Sequence, residues 1–131
     1  FNIMFRLNEI LKNSPEVSLP QHDFGRIKTM LDFISKHYNE KISLSEIAAS
    51  ANISRNTCSA ICNQFVSCTP FEYLIKYRIE KSMEILSSTD MTVTEAAYAV
   101  GFSSASYFTE TFKNVIGTTP SEFKKLIAKR Q

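Results

Sequence analysis

Leu44-Ser45-Glu46-Ile47-Ala48-Ala49-Ser50-Ala51-Asn52-Ile53-Ser54 reappears, with the same order of apolar, capping and turn residues, as Val93-Thr94-Glu95-Ala96-Ala97-Tyr98-Ala99-Val100-Gly101-Phe102-Ser103. The offset is about 49 residues, and an internal repeat of that size marks one supersecondary unit used twice. Downstream, Thr69-Pro70-Phe71-Glu72 is answered by Thr119-Pro120-Ser121-Glu122. There the offset is about 50, so the second copy has gained roughly one residue near its second helix. Each copy reads as helix, tight turn, helix, and the fold class expected is all-α.

The local signals support that reading at every boundary. Ser43 with Glu46, Thr69 with Glu72, Thr92 with Glu95 and Thr119 with Glu122 all have capping-box spacing, in which hydroxyl and carboxylate each satisfy an orphan backbone N–H. Pro70 and Pro120 follow their caps at the first helical position, where a missing N–H costs nothing. In the first copy Leu44, Ile47, Ala48 and Ala51 form an inner stripe, Asn52 stands where a left-handed turn residue is wanted, and Ser54 caps the next helix. Cys58, Ile61, Cys62 and Phe65 then follow an i, i+3, i+4, i+7 pattern and should face inward. That leaves Arg55, Asn56, Ser59, Ala60 and Asn63 outward. In the second copy Val93, Ala96, Ala97 and Val100 repeat the stripe, Gly101 supplies the turn, and Ser103 or Ser104 caps the following helix. Its inner set is Phe108, Phe112 and Val115, with Tyr107 a further candidate, and its outward set is Ala105, Ser106, Thr109, Glu110 and Lys113. Small alanines at Ala48 and Ala97 allow the close approach that a steeply crossed helix pair requires.

Between the copies, Pro70 to about Ser87 reads as one helix with Phe71, Leu74, Ile75, Ile79, Met83 and Leu86 on one side. At about 1.5 Å per residue it spans about 27 Å. A rigid helix of that length would suit the spacing of about 34 Å between two half-sites on one face of duplex DNA. Ahead of the repeats, Ile27, Met30, Leu31, Ile34 and Tyr38 describe an amphipathic helix from Phe24 that Asn39 and Glu40 end. Further upstream, Ile3, Met4, Leu7, Ile10 and Leu11 fall at helical spacing, and Asn13-Ser14-Pro15 and Leu19-Pro20-Gln21-His22-Asp23 read as a linker. The expected domains are therefore 1–22, a helix and linker left from an upstream domain, and 23–131, with repeats at 44–65 and 93–115 joined by 70–87.

Composition bounds the function. With 131 residues, 44% hydrophobic and 21% charged, the chain suits one domain or two very small ones and no fibrous or disordered class. No apolar run approaches the roughly 18 to 20 residues needed to span a bilayer, and no signal-peptide pattern opens the chain, so a cytoplasmic location without membrane contact is expected. The net charge is +2. Phe1–Asp23 carries Arg6 and Lys12 against Glu9, Glu16 and Asp23, so the basic excess lies in the repeated part, which is permissive for nucleic acid. Cys58, Cys62 and Cys68 form an odd, local set that argues for reduced thiols. Cys58 and Cys62 have the spacing of two metal ligands on a helix, but they fall on the inward stripe without further ligands nearby, so no metal is expected. His22 and His37 lack a Ser, Cys or carboxylate partner at motif spacing, and three glycines make neither a Walker motif nor a dinucleotide fingerprint. No cofactor and no catalysis are expected.

The doubled helix-turn-helix, Thr69-Pro70-Phe71-Glu72-Tyr73-Leu74, Arg78 with Ile85-Leu86, Val100-Gly101-Phe102-Ser103, Ser106-Tyr107-Phe108, Phe112-Lys113 and Gly117-Thr118-Thr119-Pro120-Ser121-Glu122-Phe123 resemble the DNA-binding domain of the AraC/XylS transcription regulators. The resemblance runs from about Phe24 to Lys129. It implies a bacterial seven-helix domain whose third and sixth helices enter adjacent major grooves of double-stranded DNA. It also implies an effector-binding or dimerisation domain elsewhere, a homodimeric full-length protein, RNA polymerase as a partner, and activation more often than repression. The family's base-reading positions fall on Asn56, Ser59 and Ala60 and on Ala105, Ser106, Thr109 and Glu110, with Arg55, Asn63, Ser104 and Lys113 beside them. Two departures stand out: Cys62 replaces a usual phenylalanine and Ser67 a usual glycine. Arginine, the commonest specific partner of guanine, is missing at Ala60 and Glu110, so modest affinity and a large share of shape readout are expected.

Some residues have two readings. Asn56 suits adenine; Glu110 suits cytosine N4 or a surface ion pair, with the ion pair the simpler. Lys124, Lys125, Lys129 and Arg130 are either phosphate contacts or a solvated helix tail. Arg78 is expected to pair with a carboxylate and pack its stem rather than meet DNA. Two other functions compete. An all-helical protein-interaction module would have a similar shape, but the small polar outward faces lack the aromatic and arginine anchors such interfaces favour. An enzyme bearing this domain, such as an alkyl-DNA repair protein, would need a reactive cysteine outside the helical core.

Overall fold

The computed structural model describes residues 21–129, which form seven helices and no strand. They are α1 (Gln21–His37), α2 (Leu44–Ser50), α3 (Arg55–Val66), α4 (Pro70–Ser88), α5 (Val93–Ala99), α6 (Ala105–Ile116) and α7 (Pro120–Lys129). The helix read at Ile3–Leu11 and the basic Arg130 lie outside the described residues. The chain divides into two compact units at Ile75/Lys76, inside α4.

All four capping boxes form. Ser43, Thr69, Thr92 and Thr119 each accept the N–H of the glutamate three residues on, at 3.1 to 3.2 Å, and each glutamate accepts the cap's own N–H at 2.9 to 3.0 Å. These bonds favour the ionised carboxylate and hold the Glu95 and Glu122 pKa values below their ordinary level. A carboxylate with a lowered folded pKa contributes fully above its unfolded value of about 4.3 and loses that contribution as the pH falls through the folded one. α1 begins earlier than the sequence suggests. It takes in Gln21–Asp23, assigned above to the linker, because Asp23 suits a helix N-terminus and pairs with Arg26 at 3.3 Å.

In the first unit α1, α2 and α3 pack on one another. Ile27, Met30, Leu31, Ile34, Ile47, Ala48, Cys58, Ile61, Cys62 and Phe65 are buried, as the stripes predict. In the second unit α6 packs on α5 and α7 around Ala96, Ala97, Val100, Phe102, Phe108 and Phe112. Ring centroids lie 5.2 Å apart for Phe102 and Phe108, 5.7 Å for Phe108 and Phe112, and 5.6 Å for Phe112 and Phe123. Val115 is half-buried and Tyr107 exposed, its ring edge still meeting Phe102 at 5.4 Å.

The joining helix departs from the single stripe. Phe71, placed on its inner side by the periodicity, is 56% exposed. Pro70, Tyr73 and Leu74 supply the buried surface of that first turn, and Phe71 is turned out beside the capping Glu72. Farther along, Tyr77, Arg78, Ile79, Ser82 and Leu86 are all buried, so burial covers much of the circumference of α4. Arg78 is buried as expected, and desolvation lowers its pKa, an effect partly opposed by Tyr107.

The exits of α3 and α6 differ in one instructive way. Both end on a left-handed residue, Ser67 at φ 59° and Gly117 at φ 100°, whose N–H bonds to the carbonyl four residues back. A side chain there is strained by roughly 1–2 kcal/mol. Ser67→Gly is therefore expected to stabilise the chain by about 0.5–1 kcal/mol, after allowing for the looser unfolded chain. Gly117→Ala, whose new methyl meets no atom within 4 Å, is expected to destabilise it by about 1 kcal/mol through backbone strain alone. Urea unfolding of the two variants checks both signs.

Candidate nucleic-acid interface

In each unit the second helix, α3 or α6, follows a tight turn, and these two are the candidate reading helices. Asn52 (φ 56°) and Gly101 (φ 100°) take the left-handed conformation expected of them. Ile53 N–H then reaches Ala48 O at 3.1 Å, and Phe102 N–H reaches Ala97 O at 3.0 Å. The readers open on Ser54 and Ser104, whose hydroxyls accept the N–H of Thr57 at 3.2 Å and of Tyr107 at 3.1 Å. Ser104 rather than Ser103 is thus the cap, and Ser103 is the residue gained in the second turn.

From that cap onward the readers are in register at an offset of about 50 residues. Arg55 pairs with Ala105, Asn56 with Ser106, Ser59 with Thr109, Ala60 with Glu110, and Asn63 with Lys113. The structure leaves every one of these side chains exposed or half-exposed, as it does Ser104. It adds Gln64 and Asn114, which continue the same face and are exposed. Counting outward positions two turns on from Asn56 and Ser106 includes them. Asn56 and Asn63, seven residues apart, lie on one line about 10 Å long, near the span of three base-pair steps.

Electrostatics separates these two helices from the others. Helices α1, α2, α4, α5 and α7 all carry an acidic residue in the first turn, whereas α3 and α6 carry none. Their positive N-terminal ends are left uncompensated, the condition for receiving a phosphate. Glu110, expected more simply in an ion pair, forms no hydrogen bond or ion pair among the described residues. Lys113, three residues on, instead exerts its field on Glu122 and helps lower that carboxylate's pKa.

The remaining candidates take structural places. Cys58, Cys62 and Cys68 are buried free thiols. Burial pushes the Cys58 thiol up, and a hydrogen bond with Cys68, followed by burial, pushes Cys62 up strongly, so both stay protonated. Among the described residues no three His, Cys, Asp or Glu side chains gather as a metal site. His37, read above as lacking a carboxylate partner, has one in Glu40 at 3.0 Å, where the pair closes the exposed end of α1. Lys124 Nζ donates to Met91 O at 2.9 Å and so ties α7 to the start of α5, which gives that lysine a structural role.

A family model described as a helix-turn-helix domain matches residues 47–126, which contain both α3 and α6. The chain belongs to the AraC/XylS family. It is 41% identical over 101 residues to an uncharacterized HTH-type transcriptional regulator, YdeC, of Bacillus subtilis, a match covering 77% of this chain and 35% of that protein. It is 27% identical over 114 residues to the melibiose operon regulatory protein of Escherichia coli, covering 87% and 38%. The chain thus spans little more than a third of these relatives. Its fold matches the DNA-binding domain of AdpA, solved in complex with a target DNA, with TM-score 0.74, 24% identity and coverage of 78% and 92%. This AraC/XylS chain accordingly carries the helix-turn-helix fold of that family's DNA-binding domains.

Two substitutions separate the roles on the reader faces. Lys113→Ala is expected to weaken all duplex sequences nearly equally and to reduce the salt slope by about 1. Asn56→Ala is expected to relax preference at one base position by about 1–3 kcal/mol. Binding titrations at several salt concentrations against a base-substituted site library check both.

Proposed function

We propose that this AraC/XylS module reads one asymmetric duplex site by laying α3 and α6 in two successive major-groove segments, on behalf of a longer bacterial regulator. The observation that carries the reading is the pairing of acid-free helix starts with outward faces made of Asn56, Asn63, Gln64, Ser106, Thr109, Lys113 and Asn114. Base edges are recognised by such amides and hydroxyls, and phosphates by Arg55, Lys113 and the two serine-capped N-termini. Protein-docking surfaces would favour aromatic and arginine anchors instead.

The regulator acts in the cytoplasm as an activator, touches RNA polymerase, and pairs with a second copy through a domain other than this module. The module itself performs no chemical step and needs no cofactor. Among the described residues no helix is long and apolar enough to cross a membrane. Base contacts by small side chains give modest affinity per chain, so a second chain on the same DNA raises occupancy by effective concentration.

Site selection from random duplex DNA, followed by footprinting, tests the two-groove reading. Inserting about five base pairs, half a helical turn, between the half-sites is expected to abolish simultaneous protection, because the two grooves then face opposite sides. Full protection of both halves across the insertion would contradict it.

A further inference from the structure

α3 and α6 together contain a single acidic side chain, Glu110, and it stands in the middle of the outward face of α6 where α3 has Ala60. It is exposed and has neither hydrogen bond nor ion pair among the described residues, so no structural role in its own unit accounts for it. Its neighbours on that face are Ser106, Lys113 and Asn114, none of which neutralises it by direct contact. Resting on the proposed reading of DNA by α6, we propose that Glu110 is a negative filter that admits cytosine at one position of the second half-site and rejects the other bases.

The physical basis is the cost of bringing a carboxylate among phosphates. Charges within about 10 Å are only partly screened at 0.1 M salt, so an ionised Glu110 weakens every complex unless a donor receives it. In the major groove cytosine offers the N4 amine. Adenine offers N6 beside the N7 acceptor, whereas guanine N7 and O6 and thymine O4 present only lone pairs to a lone-pair donor. The ranking is therefore cytosine first, adenine second, guanine and thymine last. Ala60 imposes no such ranking in the first half-site, so the two halves cannot be copies of one sequence although the two units are copies of one fold.

The consequence runs opposite to the loss of an ordinary contact residue. With the 131-residue chain, wild type is expected to favour C·G at one second-half position by about ten- to a hundredfold over G·C. Glu110→Ala should flatten that position and bind its non-cytosine variants more tightly than wild type does, leaving first-half preferences unchanged. Glu110→Gln should move the preference toward adenine, which an amide can pair through N6 and N7. Circular dichroism of both variants shows whether α6 is intact. Equal weakening of all sites by Glu110→Ala with the helix intact, or an unchanged cytosine preference, would overturn the filter while leaving DNA reading in place. A wild-type chain that binds no duplex at all would instead overturn the reading on which the filter rests.

Discussion

Both units depend on the closure of a seven-residue helix by one backbone bond that spans five residues. Ile53 N–H to Ala48 O and Phe102 N–H to Ala97 O form only if the intervening residue is left-handed, and Asn52 and Gly101 meet that condition at φ 56° and 100°. The second bond of the same turn, Asn52 to Ala49 and Gly101 to Tyr98, satisfies another orphan carbonyl, which makes the pair a Schellman closure. Once the chain turns there, the caps Ser54 and Ser104 start α3 and α6. Buried Ala48 and Ala97 then leave room for the crossing.

The repeats keep this backbone and differ in how they fill the space behind it. Where α6 buries Phe108 and Phe112, α3 buries Cys58 and Cys62 at the equivalent positions. The first unit has α1 packed on both its helices, and Ile27, Met30, Leu31 and Ile34 provide volume that the second unit draws from a run of rings through Phe102 and Phe123. Cys58 and Cys62 are both fully buried, so a larger side chain at either would have to displace its neighbours, and overpacking costs about 1–3 kcal/mol. The thiols are therefore small apolar fillers, and their protonated state follows from the same burial.

Features fixed by a few neighbouring residues were legible in the sequence. The capping boxes, the left-handed turns and the inward stripes of α3 and α6 each depend on side chains within one or two turns, so residue type and spacing sufficed. Phe71 departs from the single apolar stripe because the burial of α4 also takes in Tyr73, Tyr77, Arg78 and Ser82. The start of α1 is hidden in the sequence because Gln21, His22 and Asp23 are common turn residues, and only the Asp23–Arg26 pair marks the helix. For Glu110 a surface ion pair is the simpler expectation from sequence, yet Lys113, three residues on, does not pair with it. The field of Lys113 at Glu122 comes from the fold of α6 against α7, which spacing along one helix does not reveal.

The distribution of acidic residues divides the helices of this small domain into two groups. A glutamate at the third helical position adds a hydrogen bond and a favourable dipole interaction, the latter worth about 0.3–1 kcal/mol at an exposed site. α2, α4, α5 and α7 take that gain in full capping boxes. α3 and α6 forgo it: Thr57 and Tyr107 stand at that position, and the caps reduce to a single serine hydroxyl. A carboxylate there would sit at the helix end best placed for a phosphate and would oppose it. The supporting helices thus carry the stabilising charge, whereas α3 and α6 keep their positive N-terminal ends free of it.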